Sequence, residues 1–292
     1  MTPGEYAARY LPIQVPGPAE ALPINVERYH NGAPTAAQQA LWSALGDHFR
    51  VNQKRNSGYR LRLIVNRMPL EIASREEIRM SAVRPFWGKG SPEDCQVVLQ
   101  LATLLRLTTP ERLQAWTNAN LGLDCNGFVG NYLFHVVLKA DWLANAGKKQ
   151  PGPSSLITSL FKWAAGEKEE NALDDLSKLD AQRIHILAKV DDDGKVMPGG
   201  PGNPHGHIAI TEPGQFMKQS FVSNSMGGLD LKTALQGMYN KPAVRTVESA
   251  GPVKGVGQNW LVFTEQLTPK TVFEVRRDNI RKASRMKIAP IP

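Results

Sequence analysis

The chain has 292 residues, a formal net charge of +8 and 41% hydrophobic residues, enough for a sizeable core in one large domain or a catalytic domain with a modest extra lobe. No segment reaches the roughly 18 continuous apolar residues of a membrane helix, and two cysteines, Cys95 and Cys125, exclude a disulfide framework. The opening Met1-Thr2-Pro3-Gly4-Glu5 lacks the basic stretch and apolar core of a secretory signal, so the expectation is a protein made in the cytosol.

In chain order, the first 34 residues are rich in proline and glycine and predict an extended arm over the surface. Thr35 to Phe49 predicts a helix, capped by Thr35, with Leu41, Trp42, Leu45 and Phe49 on one side. Tyr59 to Val65 alternates as a strand does, and Ser91 to Leu105 and Pro110 to Asn118 predict two further helices. Residues 1–90 are thus expected to form an arm and small lobe, and 91–292 the main domain. Cys95 reads as a small apolar core residue.

From Cys125 the apolar residues Phe128, Val129, Tyr132, Leu133, Val136, Val137 and Ala140 recur every three to four positions, the pattern of a helix with a wide buried stripe. Asp124 stands at the cap, which puts Cys125 in the first turn. Backbone N–H groups and the helix dipole there favour a thiolate and can donate to an oxyanion.

Lys148 to Lys178 reads as a surface insertion, and a second one is expected at about 218–242. Strands are predicted at Arg183 to Val190, His207 to Thr211, Ala243 to Glu248, Trp260 to Thr264 and Thr271 to Val275. Helices first and an antiparallel run of strands afterwards make an α+β chain. Arg276, Arg277, Arg281, Lys282, Arg285 and Lys287 crowd near the end and read as a solvated basic tail, or as a dock for an anionic partner.

His207 heads the apolar run Ile208-Ala209-Ile210, so the chain holds both parts of a thiol nucleophile: a cysteine at a helix start and a histidine base. His205 is a rival base, although His207 directly precedes the strand. A zinc site from Cys125, His205 and His207 lacks the fourth ligand of a structural centre, so neither metal nor cofactor is expected. His30, His48, His135 and His185 have no motif around them.

Asp124-Cys125-Asn126-Gly127-Phe128-Val129, followed by Gly206-His207-Ile208-Ala209-Ile210, resembles the NlpC-type cell-wall cysteine peptidases. The resemblance implies a papain-like fold, with Cys125 as nucleophile and His207 as general base. Val247 to Val256 is similar to the family's next strand and puts Glu248 in the third, imidazole-orienting position; the alternative is an exposed strand-end glutamate. Asn126 replaces the family's serine. The family's upstream tyrosine and glycine pair is not recognisable before Leu121, with Trp116, Asn118 and Asn120 the candidates to replace it.

The implied function is hydrolysis of amide bonds in peptidoglycan stem peptides, as a lysin or as an effector injected into rival bacteria, with an immunity protein as partner. The same dyad serves acyl transfer or protein deamidation. A non-catalytic binding module docking an anionic partner is the reading from another class.

Overall fold

Alternating apolar residues in the second half of the chain build a closed six-stranded antiparallel barrel, and the first half is mainly helical: an α+β protein. The computed structural model describes residues 1–17, 20–30, 36–139, 151–199, 206–217, 241–250, 255–277 and 283–292. Among them no helix is long and apolar enough to cross a membrane.

The chain divides into two compact units. The first holds Met1–Gly4, Tyr132–Glu248 and Gly257–Pro292; the second holds Glu5–Asn131 and Ser249–Val256. Residue 90, the expected lobe boundary, lies inside the second unit.

The second unit begins within helix α1 (Pro3–Ala8), at Glu5, and continues with the paired strands β1 (Ile13–Val15) and β2 (Leu22–Ile24). Tyr6, Tyr10, Ile13, Val15, Ile24 and Val26 are buried, so the opening is part of the core and not a surface arm. The proline and glycine content marks turns between short elements here. Helix α2 (Ala36–Arg55) buries Leu41, Leu45 and Phe49 at four-residue spacing; Thr35, its expected cap, lies outside the described residues. Strands β3 (Leu61–Val65) and β4 (Met68–Ile72) form a hairpin. Its turn residues Asn66 and Arg67 have φ of 51° and 66°, as a two-residue turn matching the strand twist requires. After the short α3 (Arg79–Val83) comes α4 (Pro92–Leu104), opened by a capping box between Ser91 and Asp94, with Cys95 fully buried. Helices α5 (Leu113–Asn120) and α6 (Cys125–Tyr132) follow, and α6 passes into a π turn at Leu133–Val137.

The first unit contains α7 (Ile157–Ala164), β5 (His185–Lys189), β6 (Ile208–Met217) and β7 (Ala243–Ser249). Strands β8 (Val256–Gln266), β9 (Phe273–Arg277) and β10 (Ser284–Pro290) complete it. Barrel order is β10-β5-β6-β7-β8-β9. Leu187, Val244, Leu261, Phe263, Phe273, Val275, Met286 and Ile288 pack as one core cluster. The expected surface insertion at Lys148 to Lys178 is corrected over its described residues, 151–178: α7 buries Ile157, Leu160, Phe161 and Ala164 and packs on β5 and β10. The expected insertion at 218–242 falls almost wholly outside the described residues.

Strand β6 continues past Thr211 through Pro213 and Gly214, with an irregularity in its pairing to β7 between Thr211 and Phe216. The basic tail is also corrected. Arg276, Arg277, Arg285 and Lys287 sit on barrel strands and face acids: Glu274, Glu248, Asp192 and Glu169 in turn. Arg281 and Lys282 lie outside the described residues.

Candidate active site

Neighbouring barrel strands bring one polar group each to a single cluster in the first unit. His207 immediately precedes β6, and its carbonyl accepts the Lys189 N–H at 2.8 Å, which extends the β5–β6 ladder to the histidine. Glu248 comes from β7, Asn259 from β8 and Arg277 from β9. Side chains two apart on a strand share a face. Glu248 therefore continues the row of Val244, Asn259 the row of Leu261 and Phe263, and Arg277 the row of Phe273 and Val275, all core residues.

Glu248 Oε2 is hydrogen-bonded to His207 Nε2 and accepts from Arg277 Nη2 at 2.9 Å, while Oε1 accepts from Asn259 Nδ2 at 2.7 Å. Its side chain has 0% exposure, which rules out the exposed strand-end glutamate. Burial alone would push the carboxyl up, but His207, Arg277 and Asn259 outweigh it and hold Glu248 below the usual glutamate value. With the proton on Nε2 directed at the carboxylate, the neutral imidazole carries its lone pair on Nδ1. Nδ1 is the nitrogen able to take up a proton from a thiol.

Cys125 belongs to the second unit and opens α6. Asp124 caps the helix: its Oδ1 accepts the Gly127 N–H at 2.5 Å, and its own N–H donates to the Gly88 carbonyl at 3.0 Å. Cys125 therefore stands in the first turn, where N–H groups have no intrahelical acceptor. The loop Trp87-Gly88-Lys89-Gly90 lies against this turn. Lys89 Nζ forms an ion pair with Asp124 and donates to Asn126 Oδ1 at 2.6 Å, and the Lys89 carbonyl accepts from Asn131 Nδ2 at 3.0 Å. A fixed ammonium thus sits next to the Cys125 turn. Ser249, which follows Glu248 in the chain, donates its hydroxyl to the Leu123 carbonyl at 2.7 Å.

Lys89 and its loop were missed in the sequence, where Trp116, Asn118 and Asn120 were the candidates to replace the family's upstream tyrosine and glycine pair. Those three lie on α5 and are engaged elsewhere. Trp116 packs edge-on against Phe86, Asn118 Oδ1 accepts from Gln114, and Asn120 donates to the Trp116 carbonyl. The available signal was Gly88-Lys89-Gly90 just before the Ser91 cap, since Gly88 has a φ of 74° that only glycine adopts readily. His205 lies outside the described residues. Among the described residues no group of three or more His, Cys, Asp or Glu is placed to hold a metal. Cys95 is fully buried, and burial with Asp94 and Glu93 nearby pushes its thiol well above the usual range. His185 is buried on β5, where desolvation lowers it.

Asp124 gives folding a pH signature. Burial raises its carboxyl from 3.8 to about 6 despite the Lys89 ammonium and the Gly127 N–H. A raised folded value means stability that is full below the unfolded value and lost as pH rises through the folded one. At about 1.4 kcal/mol per unit, the loss between pH 4.5 and 7 is on the order of 2 kcal/mol. Glu248 has the opposite sign: its folded value is lowered from 4.5, so its contribution holds above that pH and is lost below it. Denaturant unfolding between pH 4.5 and 7 is expected to show the Asp124 decline in the wild type and little of it in Asp124→Asn. Equal slopes in the two proteins would remove Asp124 as the source.

Compared with known protein families, with curated proteins and with solved structures, the chain matches none.

Proposed function

We propose that this protein is a papain-like cysteine hydrolase that cleaves amide bonds in the peptide stems of peptidoglycan. The observation that carries the reading is the His207–Glu248 couple: an imidazole held by a buried carboxylate, in a chain whose Cys125 opens a capped helix. Substrate class rests on the likeness of Asp124 to Val129 and Gly206 to Ile210 to the NlpC-type motifs.

In the proposed mechanism His207 Nδ1 takes the proton from Cys125 Sγ, and Glu248 stabilises the imidazolium through Nε2. The thiolate attacks the amide carbonyl, and N–H groups of the α6 first turn receive the oxyanion. Collapse breaks the C–N bond, and the imidazolium gives its proton to the leaving amine. Water, deprotonated by the neutral imidazole, then attacks the thioester and restores the thiol.

The test is digestion of purified peptidoglycan with untreated protein and with protein alkylated by iodoacetamide, with products identified by mass spectrometry. Stem-peptide fragments from the untreated sample alone, together with label on Cys125 and not on Cys95, are the expected result. Selective labelling without fragments would keep the nucleophile and move the substrate to another acyl donor. Equal sluggishness of both thiols would overturn the enzyme reading.

A further inference from the structure

We propose that Arg277 is a positioning residue that anchors Glu248 and holds down the basicity of His207, making the imidazole partner a neutral Glu–Arg couple instead of a lone carboxylate. The inference rests on the reading of His207 as general base.

Arg277 Nη2 is 2.9 Å from Glu248 Oε2 and also 2.9 Å from His207 Nε2. With a proton on Nε2 directed at Oε2, the imidazole and the guanidinium both donate to that one oxygen. Two donors this close cannot bond to each other, so the guanidinium meets the imidazole as a neighbouring charge. In the resting state this costs little, because the ring is neutral. Once Nδ1 is protonated, the imidazolium faces a carboxylate and a permanent cation at similar distances, and the two largely offset. Geometry is kept while the electrostatic pull of the carboxylate is cut.

Glu248 from β7 and Arg277 from β9 face Nε2, Asn259 from β8 is neutral and bonds Oε1, and Lys189 from β5 meets His207 through its backbone N–H. The Arg277 side chain is 24% exposed, and its row on β9 runs back into Val275 and Phe273 of the core.

The experiment is an NMR titration of His207 in the full chain with labelled histidine, assigned with His207→Gln. Arg277→Gln keeps a donor for Oε2, Arg277→Met keeps the packing of the stem, and Arg277→Lys keeps the charge. The Gln and Met variants are expected to raise the His207 midpoint by about one pH unit. The Lys variant should stay near the wild type, and Glu248→Gln should move the midpoint the other way. An unchanged midpoint in the folded Gln or Met variant would overturn the proposal, as would a rise in the Lys variant equal to theirs. A merely structural arginine would lower the unfolding midpoint of all three alike without moving the titration.

Rates of Cys125 alkylation against pH, taken on the same samples, separate this inference from the hydrolase reading. A shifted His207 titration with a Cys125 no more reactive than Cys95 keeps the role of Arg277 and removes the enzyme. A reactive Cys125 with an unmoved His207 does the reverse.

Discussion

Cys125→Ala and His207→Ala are each expected to lower stem-peptide cleavage by about 10⁴-fold or more, and the double variant by no more than the worse single one. The reasoning is that of a unit. Without the thiol no thioester forms, whatever the base does. Without the imidazole nothing takes the thiol proton or protonates the leaving amine, so both halves of the reaction stall. Non-additivity is what separates a dyad from two independent contributors, whose losses would multiply. Cys95→Ala is the control, expected within about threefold of the wild type, since a thiol sealed in α4 touches no reacting atom. The measurement is the rate of fragment release at fixed enzyme concentration, with denaturant midpoints to verify folding. Multiplying losses in the double variant would refute the shared mechanism.

Gly127→Ala is expected to cost roughly 3–4 kcal/mol of stability, from overpacking together with a weakened cap. A Cβ on Gly127 would lie 2.1 Å from the Gly88 carbonyl oxygen, 3.0 Å from its carbon and 2.6 Å from Asp124 Oδ1. Backbone cannot yield as a flexible side chain does. Relief therefore moves the Gly88 loop, which also accepts the Asp124 N–H and supplies Lys89. The methyl group thus attacks the cap, the ion pair and the turn of Cys125 together. Gly257→Ala, where a Cβ meets nothing within 4 Å, is expected within about 0.5 kcal/mol of the wild type. Urea unfolding of the two variants tests the contrast, and a Gly127→Ala protein as stable as Gly257→Ala would contradict it.

Much of this arrangement is legible in the residues, and the misses have physical causes. Asp124 before a four-residue apolar rhythm predicts the start of α6, because cap and stripe are both local. Strands β5, β7 and β9 were visible for the same reason. The last strand was hidden by charge: Arg285 and Lys287 alternate with Met286 and Ile288, a period of two that reads as a basic tail when only the charges are counted. Likewise Arg277 counted as one more cation, although it stands two residues beyond Val275 and so on the interior row. The Lys89 loop and Asn259 were beyond local reading, since each acquires its role from a partner 35 to 11 residues away: Lys89 from Asp124, Asn259 from Glu248. Neither has a motif of its own, and only pairing through the fold reveals them.

The division of the chain also dictates the order in which it can be made. The second unit takes Glu5–Asn131 early and then needs Ser249–Val256, while the barrel closes only when β10 (Ser284–Pro290) joins β5 and β9. Neither unit is complete until most of the polypeptide has left the ribosome. Ser249, tied to Leu123 across 126 positions, is a late arrival on the doorstep of the Cys125 turn. Synthesis from the N-terminus therefore delivers the Cys125 helix long before the segment that fastens it, and the finished thiol site is a product of the last stage of folding.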